Sequence, residues 1–411
     1  MPISAVHGPS GAAPVAERER KQLQFLVADD SGLMRRMITR ILEAEGDIQV
    51  IAGARDGAEA IELVERLRPN VITMDVNMPR VDGLRAVEVI MGRHPVPIVI
   101  ISSYTRRGGV AAAQALAYGA IDIVEKPSQL GVSLDLELQA REIRTKVRSA
   151  ARVRVVRTAS FEMACRRSKV ATARGVILPA PPPRAAKGGG IVPVPLPHPA
   201  KEGVPVVAIG ASTGGPAALG EMLPLIPCGF RGCVMVVQHM PPGYTSDLAH
   251  CLNLRTALTV VEARHGDPLV PGVVYIAPGG CHMELVRERI RLHTSPRHDM
   301  YRPSVEVLFQ SLLGISERVQ AVMLSGMGDD GVEAMQRLRA LGAATVVQDE
   351  DSSVVWGMPG SAVRAGCASL QLSPARLAEY LCAVVGVGDG GSVVQSPRPA
   401  LQGRPPRLRA G

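Results

Sequence analysis

Two sets of residues in this sequence have the types and spacing to do chemistry. In the first third of the chain, Asp29 and Asp30 follow an apolar run at 24–28 and Asp75 follows another at 71–74. Ser102 follows 98–101, and Lys126 comes just after 121–124. In a sheet wound with helices on both faces, sites lie in the crevice at the carboxyl ends of the strands, so these groups would converge. Crowded carboxylates repel unless a cation joins them, and Mg2+ suits an oxygen-only set. The chemistry this supports is phosphoryl transfer to a carboxylate. Asp75 would attack, Mg2+ would neutralise carboxylate and phosphate oxygens, and Ser102 and Lys126 would hold the new phosphoryl group.

The second set begins at Ser212. The run 204–211 is apolar and enters the loop Ser212-Thr-Gly-Gly-Pro, where Pro216 suits the first position of a helix. The loop lacks the lysine of a P-loop, and Ser212 stands where a dinucleotide fingerprint needs its middle glycine. Taken alone, it suits either a phosphate cradled on helix amides or a serine nucleophile. A serine needs a base. His239 follows the apolar run 233–238 and precedes Met240-Pro-Pro; His282 is the next candidate, and His250 falls within a helical stretch. The run 319–324 leads to Asp329 and Asp330, either of which can orient an imidazole or cap the next helix. Equivalent strand ends would bring serine, histidine and acid together from distant parts of the chain, in an order unlike the familiar hydrolase orders.

The elements that must position these groups are legible as alternation. Apolar runs at 24–28, 48–53, 71–74, 98–101 and 121–124 interleave with helical stretches at 33–45, 57–67, 83–93, 109–118 and 133–148. That pattern predicts a doubly wound, flavodoxin-like domain over 23–148 with five parallel strands. Residues 149–203 are rich in Pro, Gly and Arg and read as a flexible linker; 1–22 and 388–411 read as a disordered leader and tail. A second α/β domain spans 204–387, with strands at 204–210, 233–238, 258–262, 273–277, 290–293, 319–324 and 344–348. Helices are expected near 216–226, 245–254, 303–313, 331–341 and 374–385. The turn Arg287-Glu288-Arg289 predicts a hairpin, which would add antiparallel strands to a mostly parallel sheet.

Composition narrows the function classes. The chain has 411 residues, 46% hydrophobic and 20% charged, enough for two or three domains with buried cores. No apolar run approaches the roughly 20 residues of a membrane span, and the N-terminal residues carry no apolar signal core. Seven cysteines, never in C-x-x-C, argue against a disulfide scaffold or structural zinc and for a reducing cytoplasm. The net charge of +8 is concentrated: residues 141–174 carry eleven Arg/Lys against Glu142 and Glu162, and the tail adds four Arg. The basic excess is therefore expected outside the folded cores. With few aromatics for stacking as well, no nucleic-acid partner is expected.

Specific motifs carry a resemblance. Val27-Ala-Asp-Asp-Ser, Met74-Asp-Val-Asn-Met-Pro-Arg-Val-Asp-Gly-Leu, Ile101-Ser-Ser and Glu125-Lys-Pro resemble the response-regulator receiver family. The resemblance implies Asp75 as phosphoacceptor and a sensor histidine kinase as phosphodonor. It implies Mg2+ on Asp30, Asp75 and the Asn77 carbonyl with Asp29 beside them, and Ser102 and Lys126 as the phosphate switch. Ile123 departs from the aromatic often found there, and Asn77 from the usual acid.

Val207-Ala-Ile-Gly-Ala-Ser-Thr-Gly-Gly-Pro, Gln238-His-Met-Pro-Pro-Gly, Asp267-Pro-Leu-Val-Pro-Gly-Val-Val-Tyr-Ile-Ala-Pro-Gly, Arg302-Pro-Ser-Val-Glu-Val-Leu-Phe, Ser325-Gly-Met-Gly-Asp-Asp-Gly and Ser352-Ser-Val-Val-Trp-Gly-Met-Pro resemble the CheB family of chemotaxis response-regulator methylesterases. Here Ser325 stands where that strand more often ends in Thr. The resemblance implies a triad of Ser212, His239 and Asp330 that needs no metal, with Thr213 and Met327 amides as oxyanion donors. Its implied substrates are glutamate γ-methyl esters, and glutamine amides, on methyl-accepting chemoreceptors. The architecture, a phosphorylatable module tethered to a catalytic one, leads to the expectation that the receiver covers the esterase site until Asp75 is phosphorylated. A phosphorylation-controlled, non-enzymatic receptor adaptor is the alternative. A DNA-binding regulator would need a short helical domain where this sequence has strands.

Overall fold

The computed structural model describes residues 22–103, 106–127, 133–153, 203–294 and 301–388, so the leader, most of the linker and the tail lie outside the described residues. The first domain alternates β1 (Leu23–Ala28), α1 (Gly32–Glu43), β2 (Ile48–Ala54), α2 (Gly57–Leu67), β3 (Val71–Met74), α3 (Gly83–Arg93), β4 (Ile98–Ser102), α4 (Arg106–Ala117), β5 (Asp122–Glu125) and α5 (Ser133–Ala151). Its five strands are all parallel in the order β2-β1-β3-β4-β5. Every residue of β3 and β4 is buried, as a sheet covered on both faces requires. Helix starts are set by side chains that accept orphan amides: Ser31 from Met34, Asp56 from Ala58 and Glu59, and Asp82 from Arg85.

The second domain comprises β6 (Val206–Ala211), α6 (Gly215–Met222), β7 (Cys233–Gln238), α7 (Tyr244–Asn253), β8 (Thr259–Glu262), β9 (Val273–Ile276), β10 (His282–Val286), β11 (Arg289–His293), α8 (Val305–Ser311), β12 (Val319–Met323), α9 (Val332–Ala340), β13 (Ala344–Gln348), α10 (Met358–Arg364), β14 (Leu370–Leu372) and α11 (Pro374–Val385). The seven-stranded sheet β14-β13-β12-β6-β7-β9-β8 is parallel throughout. The predicted hairpin exists, but β10 and β11 form a separate two-stranded sheet rather than joining the main one. Met283, Leu285 and Ile290 turn inward from it onto the core beside Leu308 and Leu312. Two elements escaped the sequence pattern: β14 is only three residues long and incompletely buried, and α10 is seven residues opened by Met358-Pro359.

The basic run also needs correction. Helix α5 continues to Ala151, so Arg144, Lys146 and Arg148 belong to the folded domain. They pair there with Glu45, Glu137, Asp122, Glu142 and Asp47. Lysine and arginine stems can cover apolar surface while their charges meet carboxylates, so charge density alone misplaced this stretch.

The two domains share apolar contacts. Ala112, Ala115 and Leu116 of α4 lie in one buried cluster with Ala218, Leu219 and Leu248 of the second domain. Val354 packs against the cluster that holds Ile121, Val124, Ile143 and Val147. Among the described residues the cysteines are free, and no helix is long and apolar enough to cross a membrane.

Close to this contact, Lys146 Nζ lies 3.1 Å from Asp122 Oδ1 and donates to the Ile123 carbonyl at 2.9 Å. Removing one member of a buried pair strands the other charge. Lys146→Met should therefore destabilise the first domain by about 3–5 kcal/mol in urea unfolding, and Asp122→Asn/Lys146→Met should recover much of that loss. Equal losses in the single and double variants would show that the pair is uncoupled.

Candidate functional site

Parallel register sets the second site. Ala211 of β6 pairs with Gln238 of β7, and Gly210 pairs with Met323 of β12. The ladder continues one step past the strands: His239 N donates to Ala211 O at 2.9 Å, and Ser212 N donates to Ser325 O at 3.0 Å. Loops from three adjacent strands thus leave the sheet at one height carrying Ser212, His239 and the Ser325–Gly331 turn. The Gln238 amide ties two of them, donating to Ser212 O at 2.8 Å and His239 O at 3.3 Å. A Cβ on Gly326 would stand 2.9 Å from Ser212 Cβ and 2.4 Å from Met358 Sδ, so only glycine lets this turn lie against the serine.

His239 is buried, with Nε2 at 2.8 Å from Asp330 Oδ2. That carboxylate is held further by Ser304 Oγ (2.8 Å), Val305 N (2.7 Å) and Glu306 N (3.1 Å) at the start of α8. Burial alone would raise its pKa, but the hydrogen bond and charge of His239, with the Val305 and Ser304 donors, hold Asp330 below the usual carboxylate range. A charged carboxylate accepts, so Nε2 is the nitrogen that donates to it, and in the neutral form of the ring the lone pair falls on Nδ1. Nδ1 is buried and has no hydrogen-bond partner, Ser212 included. The familiar triad uses the two nitrogens the other way round.

The other sequence candidates fall away from this pair. Asp329 is exposed, His250 lies on α7, and His282 heads β10 with its ring 5.4 Å from that of His293. Among the described residues the Thr213 and Met327 amides donate to no other group. Sequence reasoning did not single out Ser304 or Tyr301. The Arg302-Pro-Ser stretch marked the neighbourhood, but only tertiary contact puts Ser304 on Asp330 and the Tyr301 ring on His239.

In the first domain, Asp29, Asp30 and Asp75 each bring a carboxylate oxygen within 4.8 Å of the others. Lys126 Nζ lies 2.8 Å from Asp75 Oδ2 and 2.7 Å from Asp29 Oδ2. Burial raises the Asp75 pKa, helped by the charge of Asp29 and opposed by Lys126 and the nearby Asn77 backbone. For Lys126, burial acts downward and is outweighed by Asp29 and Asp75, so the ammonium stays charged. Asp75 Oδ1 is buried without a partner. Ser102 is buried beside them, its hydroxyl donating to Ser103 O at 3.3 Å.

The domains meet across these two sites. Thr213 Oγ1 donates to Asp122 Oδ2, Gly214 N donates to Ile121 O at 3.3 Å, and Ser149 Oγ donates to Met327 Sδ. Tyr244 Oη donates to the carbonyl of Ser102 at 2.9 Å.

A family model described as CheB methylesterase matches residues 207–381, and one described as response regulator receiver domain matches 25–134. A protein-glutamate methylesterase/protein-glutamine glutaminase of Symbiobacterium thermophilum is 40% identical over 379 residues, covering 91% of this chain and 100% of the relative. A relative of the same description from Rhodospirillum rubrum is 41% identical, covering 87% of this chain and 95% of the relative. The crystal structure of the Thermotoga maritima CheB methylesterase catalytic domain is 35% identical, covers 44% of this chain and 100% of that chain, and has a TM-score of 0.43. With its receiver and methylesterase domains in the same order and a relative of 40% identity matched over its whole length, this chain belongs to the CheB family of protein-glutamate methylesterases/protein-glutamine glutaminases.

Proposed function

We propose that this chain hydrolyses γ-methyl esters of glutamate side chains on methyl-accepting chemoreceptors, and glutamine amides at such sites, under control of phosphorylation at Asp75. The observation that carries the reading is the imidazole of His239: one nitrogen is bound to a charged Asp330, and the other is unbonded at the strand end next to Ser212. His239 Nδ1 takes the Ser212 proton as Oγ attacks the ester carbonyl, and Asp330 stabilises the imidazolium that forms. The Thr213 and Met327 amides hold the oxyanion, where loss of one donor costs about 10²–10³ in rate. The imidazolium returns its proton to the departing methoxide, so methanol leaves, or ammonia when the substrate is an amide. Water, deprotonated by the same nitrogen, then splits the acyl-enzyme and frees glutamate.

At the receiver, an all-oxygen donor set with one buried, unsatisfied Asp75 oxygen fits a hard divalent cation. Asp29, Asp30, Asp75 and the Asn77 carbonyl would hold Mg2+, which when bound screens the charge of carboxylates and phosphate. Asp75 accepts the phosphoryl group from a sensor histidine kinase, and Lys126 and Ser102 hold its oxygens. Contacts from Ile121, Asp122 and Ser149 onto the Thr213–Gly214 and Met327 loops support a receiver that restrains the esterase until Asp75 is phosphorylated.

Release of methanol from methylated receptor membranes tests the chemistry. Ser212→Ala and His239→Ala should abolish it while leaving folding and receptor binding intact; a rate unchanged by either would favour the non-enzymatic adaptor. Asp330→Asn should lower kcat by about 10⁴, because the amide would support the wrong tautomer. A small phosphodonor should raise the rate of the wild type and not of Asp75→Ala, and EDTA should remove that rise without touching the basal rate. Equal activation of both chains would end the regulatory reading.

A further inference from the structure

We infer that Tyr301 is a positioning residue of the esterase site, its ring fixing the plane of the His239 imidazole and favouring the imidazolium. This rests on the esterase reading above. The hydrogen bond from Nε2 to Asp330 fixes one direction of the ring but leaves it free to turn about that line, and turning would swing Nδ1 away from the serine. The Tyr301 ring lies parallel to the imidazole, with centroids 4.3 Å apart and planes 4° apart, and blocks that rotation on one face. Its hydroxyl lies near the backbone of Gly328, where a Cβ would come within 3.4 Å, so the side chain reaches from the base to the turn that carries Met327.

The placement has a local cause. Tyr301 opens the stretch 301–306, from which Ser304 Oγ, Val305 N and Glu306 N all bind Asp330. One short segment therefore holds the acid and sets the plane of the base. The face of an aromatic ring is electron-rich and attracts a cation more than a neutral ring. The stack is consequently strongest when His239 carries the serine's proton, which is when stabilisation speeds the reaction. Burial, with Asp330 and Asp329 adding, pushes the Tyr301 phenol up, so the stacked ring stays a neutral phenol. The charges that act on it are those of Asp330 and Asp329 from the turn before α9, and of Lys146 and Glu142 from α5.

The test uses the full chain activated by a small phosphodonor, following methanol release against pH for wild type, Tyr301→Phe and Tyr301→Met. Tyr301→Phe keeps the ring and should stay close to wild type. Tyr301→Met fills the space without a ring. It should lose about two- to thirty-fold in kcat with KM little changed. The acid limb of its profile should move to lower pH, because an imidazolium without its partner gives up its proton sooner. Thermal melting separates loss of the stack from loss of the fold, and Tyr301→Leu serves if the methionine variant unfolds. An active wild type with an unmoved rate and acid limb in the ringless variants overturns the role. So does a Tyr301→Phe variant as impaired as Tyr301→Met, since that would place the effect in the hydroxyl. An inactive wild type would instead overturn the esterase reading on which the role depends.

Discussion

Asp330 accepts from Ser304, Val305 and Glu306 as well as from His239, and that surplus of donors is what keeps a nearly buried carboxylate charged. Its charge decides the tautomer of His239. The tautomer decides which nitrogen is left as a base, and so on which side of the ring a nucleophile must stand. Neighbouring parallel strands deliver Ser212 and His239 at the same level, as the proposed attack requires. The unusual assignment, Nε2 to the acid with Nδ1 left unbonded, follows from where the acid sits rather than from any feature of the histidine.

The second dependency runs between domains. Asp122 is a receiver residue, yet one of its oxygens accepts from Thr213 beside the nucleophile and the other meets Lys146. The Ser102 carbonyl, at the end of β4, accepts from Tyr244 in the second domain. The two domains are therefore joined by direct hydrogen bonds and packing as well as by the long linker between them in sequence.

Apolar alternation was enough to locate most strands and helices, because a parallel sheet buried on both faces needs continuous runs of Val, Ile and Leu, and such runs are local. It was blind where burial is incomplete or an element is very short, as at β14, and where a helix opens on a Met-Pro pair, as at α10. Charge density, by contrast, set Arg144, Lys146 and Arg148 outside the folded cores although the alternation had a helix over 133–148, since their partners at Asp47, Glu45 and Asp122 lie far away in sequence.

Residue chemistry at the strand ends named both sites by itself: carboxylates, a hydroxyl and an ammonium in the first domain, and serine, histidine and a pair of candidate acids in the second. The alternation even dictated that each set share one edge, because parallel crossover units put every strand's carboxyl end on the same side. What it left open was settled by distant contacts. The choice of Asp330 over Asp329 by geometry, the reversed use of the imidazole nitrogens, the ring of Tyr301 over His239 and the reach of Asp122 into the nucleophile loop all join side chains from separate elements. Periodicity reports which face of an element is buried, and it holds no information about which partner is waiting there.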